Sequence, residues 1–182
     1  MRQFLLSGWC CLLSVVSIQA QSFDHYLNKV LMKVETSKGA TALKKLTPDL
    51  ITDHDQVIAQ SNAALIVVKT NQGRFCKLLV QTAYQKVDEN EIIPALNILK
   101  FVTYREGTEQ ERVAQGEKLM LFPGFRLNLD LGQIVPKGLP ADLTFTAKPE
   151  KATLPVDKAK LFLVTKPMKE ALPKKGPKLV VG

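Results

Sequence analysis

The chain has 182 residues, of which 46% are hydrophobic, with a formal net charge of +8 and only 3 cysteines. That length suits one domain, with or without a tail, and can bury a real core. So few cysteines exclude a small secreted scaffold that depends on disulfides.

The N-terminus reads MRQFLLSGWCCLLSVVSIQAQSF. Arg2 forms a short positive region, residues 4–18 carry no charge, and Ile18-Gln19-Ala20 ends on a small residue suited to cleavage. This is the layout of a secretory signal peptide over residues 1–20, and the apolar run is shorter than the roughly 20 residues a spanning helix requires. An uncleaved N-terminal anchor is the competing reading. A lipoprotein fits less well, because Cys10 and Cys11 lie inside the apolar run and Trp9 stands where a small residue is wanted. The expected location is secreted or periplasmic, with no transmembrane segment after cleavage. Cys10 and Cys11 then leave with the signal and Cys76 remains alone, so no internal disulfide is expected.

Residues 21–62 read as an N-terminal helical segment and connector. Phe23, Leu27, Val30, Leu31 and Val34 fall on one face at helical spacing, Ser22 caps the start and Gly39 follows the end, predicting an amphipathic helix over 23–36. Residues 40–46 predict a further short helical piece. Residues 63–166 read as the β domain. AALIVVKT and RFCKLLVQ flank Asn71-Gln72-Gly73, the sequence form of a hairpin with glycine at a positive φ. Residues 95–104 and 118–122 give two more strands. FRLNLDL (125–131) alternates most clearly, placing Phe125, Leu127, Leu129 and Leu131 inward and Arg126, Asn128 and Asp130 on a wet face. Residues 142–147 and 159–166 complete about seven strands, punctuated by Gly and Pro. The expected fold is mainly β: an antiparallel sandwich or barrel of about seven strands preceded by an N-terminal amphipathic helix. Residues 167–182 read as a basic, mobile C-terminal tail, whose Leu179-Val180-Val181 offers an edge strand to a partner.

Cys76 is the one mature thiol, and a nucleophile needs a depressed pKa from a helix N-terminus, a cation or a histidine. Cys76 instead shares a strand face with Leu78 and Val80, while Lys77 points the other way, so a small buried apolar side chain is the expectation. The alternative is a small enzyme pairing Cys76 with His54. Asp53-His54-Asp55 offers metal-ligand types, but adjacent residues point apart and no second ligand follows at metal spacing, so the triplet reads as a solvated connector. Asp130 and Asp142 form an acid-base pair only if the fold joins them. Phosphate-loop, nucleophile-elbow and dinucleotide motifs are absent, and no cofactor is expected.

The remaining signal is positive charge. In an exported protein it favours an anionic envelope polymer or another exported protein, and no nucleic acid. Lys166, Lys169, Lys174, Lys175 and Lys178 are the candidate anionic-partner residues. The expected function is a non-enzymatic binding or structural module of the envelope or exterior. A further alternative is an accessory subunit that docks on a larger exported protein through its tail.

Overall fold

The computed structural model of the chain describes residues 23–52, 63–89, 91–148, 150–166 and 168. Residues 1–20, expected to be a signal peptide, and Asp53, His54, Asp55, Lys169, Lys174, Lys175 and Lys178 lie outside the described residues. No described helix is long and apolar enough to cross a membrane.

The protein is mainly β, with ten strands in two antiparallel sheets and no closed barrel among the described residues. In chain order the strands are β1 (Ala40–Leu43), β2 (Ala64–Lys69), β3 (Phe75–Lys86), β4 (Ile92–Tyr104), β5 (Arg112–Leu121), β6 (Arg126–Asn128), β7 (Gln133–Val135), β8 (Leu143–Thr146), β9 (Ala152–Pro155) and β10 (Lys160–Val164). The main sheet has the order β1-β10-β2-β3-β4-β5 and the small sheet β7-β6-β8-β9. The β2–β3 hairpin forms as its sequence predicts, with Gly73 at φ 82° in the turn.

The centre of the main sheet is buried on both faces. Its inner face sets Ile66, Val68, Cys76, Leu78, Ile98, Phe101 and Leu161 against Leu127, Leu143 and Phe145 of the small sheet. Its outer face sets Leu65, Val67, Leu79, Val102 and Phe162 against Phe23, Tyr26, Val30, Leu31 and Val34 of the N-terminal segment, and Met168 packs there too. A strand apolar on both faces has no alternation to show, which is why ALIVVK reads as an unbroken hydrophobic run.

Several expectations are corrected. The helix over 23–36 is not continuous: a 3-10 turn covers Phe23–His25, Leu27 is extended (φ −76°, ψ 163°), and α1 spans only Asn28–Leu31. The break lets both Phe23 and Tyr26 descend onto the sheet, while the Asn28 side chain donates to the Arg105 and Thr108 carbonyls of the β4–β5 loop. Tertiary contacts here outweigh helical propensity, a weak prior. The expected helical piece at 40–46 is instead the edge strand β1, paired with β10 from Ala40↔Val164 to Leu43↔Leu161. A second short helix, α2 (Pro48–Thr52), follows it.

The clearest expected strand, 125–131, shrinks to β6. Asn128 Oδ1 accepts the Leu131 N–H, and Leu129 N–H goes to an Asp142 carboxylate oxygen instead of a ladder partner. This Asx-type turn reverses the chain into β7, so Leu131 swings out (62% exposed) and Phe125 is exposed as well. Asn128 and Asp130, expected on a wet face, are buried. Strands β7 and β9 are too short to leave a periodic signal.

Candidate functional site

Three polar features stand out, and the first answers the question of Cys76. Its side chain is fully buried in the inner core, with Leu78 and Val80 on the same face. Burial drives its thiol pKa strongly upward, and the Asp142 and Asp130 charges add to the rise. The Sγ atom donates to the neighbouring Lys77 carbonyl at 3.7 Å. A thiolate there has neither solvent nor a stabilising cation, so Cys76 belongs to the core. His54, its proposed partner, lies outside the described residues.

The second feature is Lys77. Strand alternation does send it to the face opposite Cys76, but that face is buried too, and Lys77 is only 2% exposed. Its ammonium donates to the Phe23 carbonyl at 2.7 Å and lies 4.3 Å from the Phe23 ring centroid and 5.6 Å from that of Tyr104. Desolvation lowers its pKa to about 8; Asp24 opposes the shift, and Arg112 and Lys100 add to it. Sequence reasoning missed this site. Its one signal was a lone lysine inside the apolar run FCKLLV.

The third feature joins Asp130 and Asp142, 12 residues apart in a region the sequence could not close by itself. Both are buried, at 6% and 1% exposure. Asp142 Oδ1 accepts the backbone N–H of Asn71 at 2.8 Å and its side-chain amide at 3.1 Å, and Oδ2 accepts the Leu129 N–H at 2.8 Å. Asp130 accepts Thr70 Oγ1 at 3.2 Å and Arg74 at 3.3 Å. Its pKa is raised, first by burial and then by the charge of Asp142. Asn71 also accepts the Lys158 N–H and donates to the Ala141 carbonyl. The carboxylates are thus committed to backbone and turn groups, and the network fastens the β2–β3 turn to the small sheet. Among the described residues no cluster of three His, Cys, Asp or Glu side chains offers a metal site.

Positive charge gathers elsewhere, along the β1–β10 side of the main sheet. Lys38 and Lys166 flank its Gly39 end, where Lys166 N–H bonds the Gly39 carbonyl; Lys44, Lys158 and Lys160 flank its Leu43 end. All five are exposed. Glu35 lies among them, bonded to Lys160 at 2.7 Å and Lys69 at 2.9 Å, and these contacts lower its pKa. Of the expected anionic-partner residues, the structure describes Lys166 alone and sets it on this edge. Lys38, Lys44, Lys158 and Lys160 were not singled out from sequence, because only the pairing of β1 with β10 brings them together. No family model, curated protein or solved structure matches the chain.

Proposed function

We propose that the protein is an exported, non-enzymatic binding module, a β-sandwich whose basic edge holds an anionic partner. The observation that carries this reading is the collection of Lys38, Lys44, Lys158, Lys160 and Lys166 on one exposed side of the main sheet. Lysine ammonium groups are hydrated point charges on flexible stems, suited to a polyanion of irregular charge spacing more than to a planar carboxylate. Lys169, Lys174, Lys175 and Lys178 follow Lys166 in the sequence. The burial of Cys76 supports a non-enzymatic role, since the one mature thiol cannot act as a nucleophile from within the core.

The test is retention on an immobilised anionic polysaccharide, polygalacturonate, across a salt series. Attraction between exposed charges is screened within about 10 Å at 0.1 M ionic strength, so retention should fall steeply as salt rises. Lys38→Glu, Lys44→Glu and Lys166→Glu together should abolish it while the fold persists. Retention that resists both salt and these substitutions would sink the reading.

A further inference from the structure

Several turns meet at one end of the sandwich. The registers Lys69↔Phe75, Lys160↔Lys69 and Leu43↔Leu161 set the β2–β3 turn, the β9–β10 turn and Lys44 side by side. Asn71 donates its side-chain amide to the Ala141 carbonyl and accepts the Lys158 N–H, which joins the β7–β8 loop to them. Asn128 joins the β6–β7 turn, donating to the Pro140 carbonyl while its Oδ1 accepts the Leu131 N–H. Asp142 and Asp130 tie the same turns from within, through Asn71, Leu129, Thr70 and Arg74. Loops fastened in this way present a preformed surface, which lowers the ordering cost of binding. None of these four turns adjoins an undescribed residue in the chain.

What this end turns outward is partly apolar. Leu131 and Leu139 come from the two segments that Asn128 bonds together, and they are 62% and 51% exposed. Their backbones are fixed, Leu131 by Asn128 and Leu139 by its N–H to the Pro136 carbonyl. A single exposed leucine needs no explanation, but two on adjoining fastened loops are apolar contact points aimed at water. Exposed ammonium groups accompany them: Lys137 in the β7–β8 loop, Lys158 in the β9–β10 turn and Lys44 after β1. Within these turns Asp157 is the one exposed carboxylate, since Asp130 and Asp142 are buried. The other acidic residues of this end, Glu106, Glu109 and Glu111, belong to the β4–β5 loop, where Lys29 pairs with Glu109 and Arg105 with Glu111.

We propose that this end docks on an anionic lipid bilayer, with Leu131 and Leu139 entering the interface and Lys44, Lys137 and Lys158 meeting the headgroup phosphates. The proposal rests on the reading given above, because Lys44 and Lys158 belong to the same cationic edge, and it names the anionic partner. A polyanion would engage the lysines and leave the leucines in water. A bilayer is anionic at its surface and apolar just beneath, so it answers both features at once. Lysine stems can lie along apolar surface while their ammonium groups stay with the headgroups. The attraction of a few lysines to an anionic leaflet is reversible and fades with salt, whereas apolar burial is not screened. The leucines therefore supply the part of the binding that survives salt.

Co-sedimentation of the purified protein with vesicles tests this, phosphatidylcholine alone against phosphatidylcholine mixed with phosphatidylglycerol. The wild type should bind the mixed vesicles and not the neutral ones. Leu131→Gln combined with Leu139→Gln alters no charge and should weaken vesicle binding about tenfold or more. The same double variant should keep the wild-type thermal unfolding and the wild-type retention on polygalacturonate. The chain has one tryptophan, Trp9, so Leu131→Trp adds a second indole at the loop tip. Its emission, relative to the wild type, should move to shorter wavelength on mixed vesicles only. Vesicle binding that the double variant leaves intact, with no emission shift, would overturn the proposal while the charge reading stands. A wild type that binds neither vesicles nor polygalacturonate would overturn both. A two-copy species in sedimentation velocity that the double variant dissolves, without vesicle binding, would give the leucines to a second copy and overturn the bilayer.

Discussion

Lys77 makes a quantitative demand on the pH dependence of stability. With its native pKa at about 8 against an ordinary 10.5, both states hold the proton below pH 8. Above pH 8 the native state sheds it while the unfolded chain keeps it to about 10.5, so stability rises with pH across that window. Integrated from pH 7 to 9, the gain from this one group is about 1.3 kcal/mol. In urea denaturation it moves the midpoint by roughly 0.4–1.3 M, for an m-value of about 1–3 kcal/mol/M. Cys76 acts in the opposite sense. Its thiol stays protonated in the native core but ionises near its ordinary 9.0 when unfolded, and the raised phenols of Tyr26 and Tyr104 add to that loss only at higher pH. The informative quantity is therefore the wild-type profile minus that of Lys77→Met, in which Cys76 and the tyrosines cancel. Lys77→Arg, which cannot deprotonate in this range, should lack the rise as Lys77→Met does, though its overall stability differs. A difference profile that is flat between pH 7 and 9 would refute the reasoning, because the buried ammonium would then cost nothing.

Cys76 should resist alkylation in the native protein from about pH 5 to 9 and react at once in denaturant; native labelling near pH 6 would contradict its place in the core. Asp142→Asn should cost about 2–3 kcal/mol in chemical denaturation, because an amide offers one acceptor where Asn71 and Leu129 require two. Asp130→Asn, which also removes a like-charge neighbour, should cost clearly less, and equal losses would argue against the network as drawn. Gly116→Ala should destabilise by about 1–3 kcal/mol, since a Cβ there would lie 2.5 Å from Phe101 Cε1; unchanged thermal stability would mean that the Phe101 ring can move aside.

Periodicity alone determined the class of this protein and several of its parts. The hairpin around Asn71-Gln72-Gly73 was legible because turn chemistry is local. So was the burial of Cys76, because its neighbours Leu78 and Val80 share its parity. What periodicity cannot express is which partner a strand takes. The alternation of FRLNLDL is perfect, yet Leu131 faces water because Asp142, from another loop, draws the Leu129 N–H and lets Asn128 turn the chain. Residues 23–36 are spaced as a helix, but the ring of Phe23 and its carbonyl are needed over Lys77, and the continuous helix yields. The candidate sites divide in the same way. Excess positive charge is a property of composition and was visible at once. Its placement depends on a four-residue strand paired with another more than 100 residues away. Local forces wrote the strands and turns into the sequence. Burial and hydrogen-bond satisfaction, which act between distant residues, decided what those strands cover and what they leave exposed.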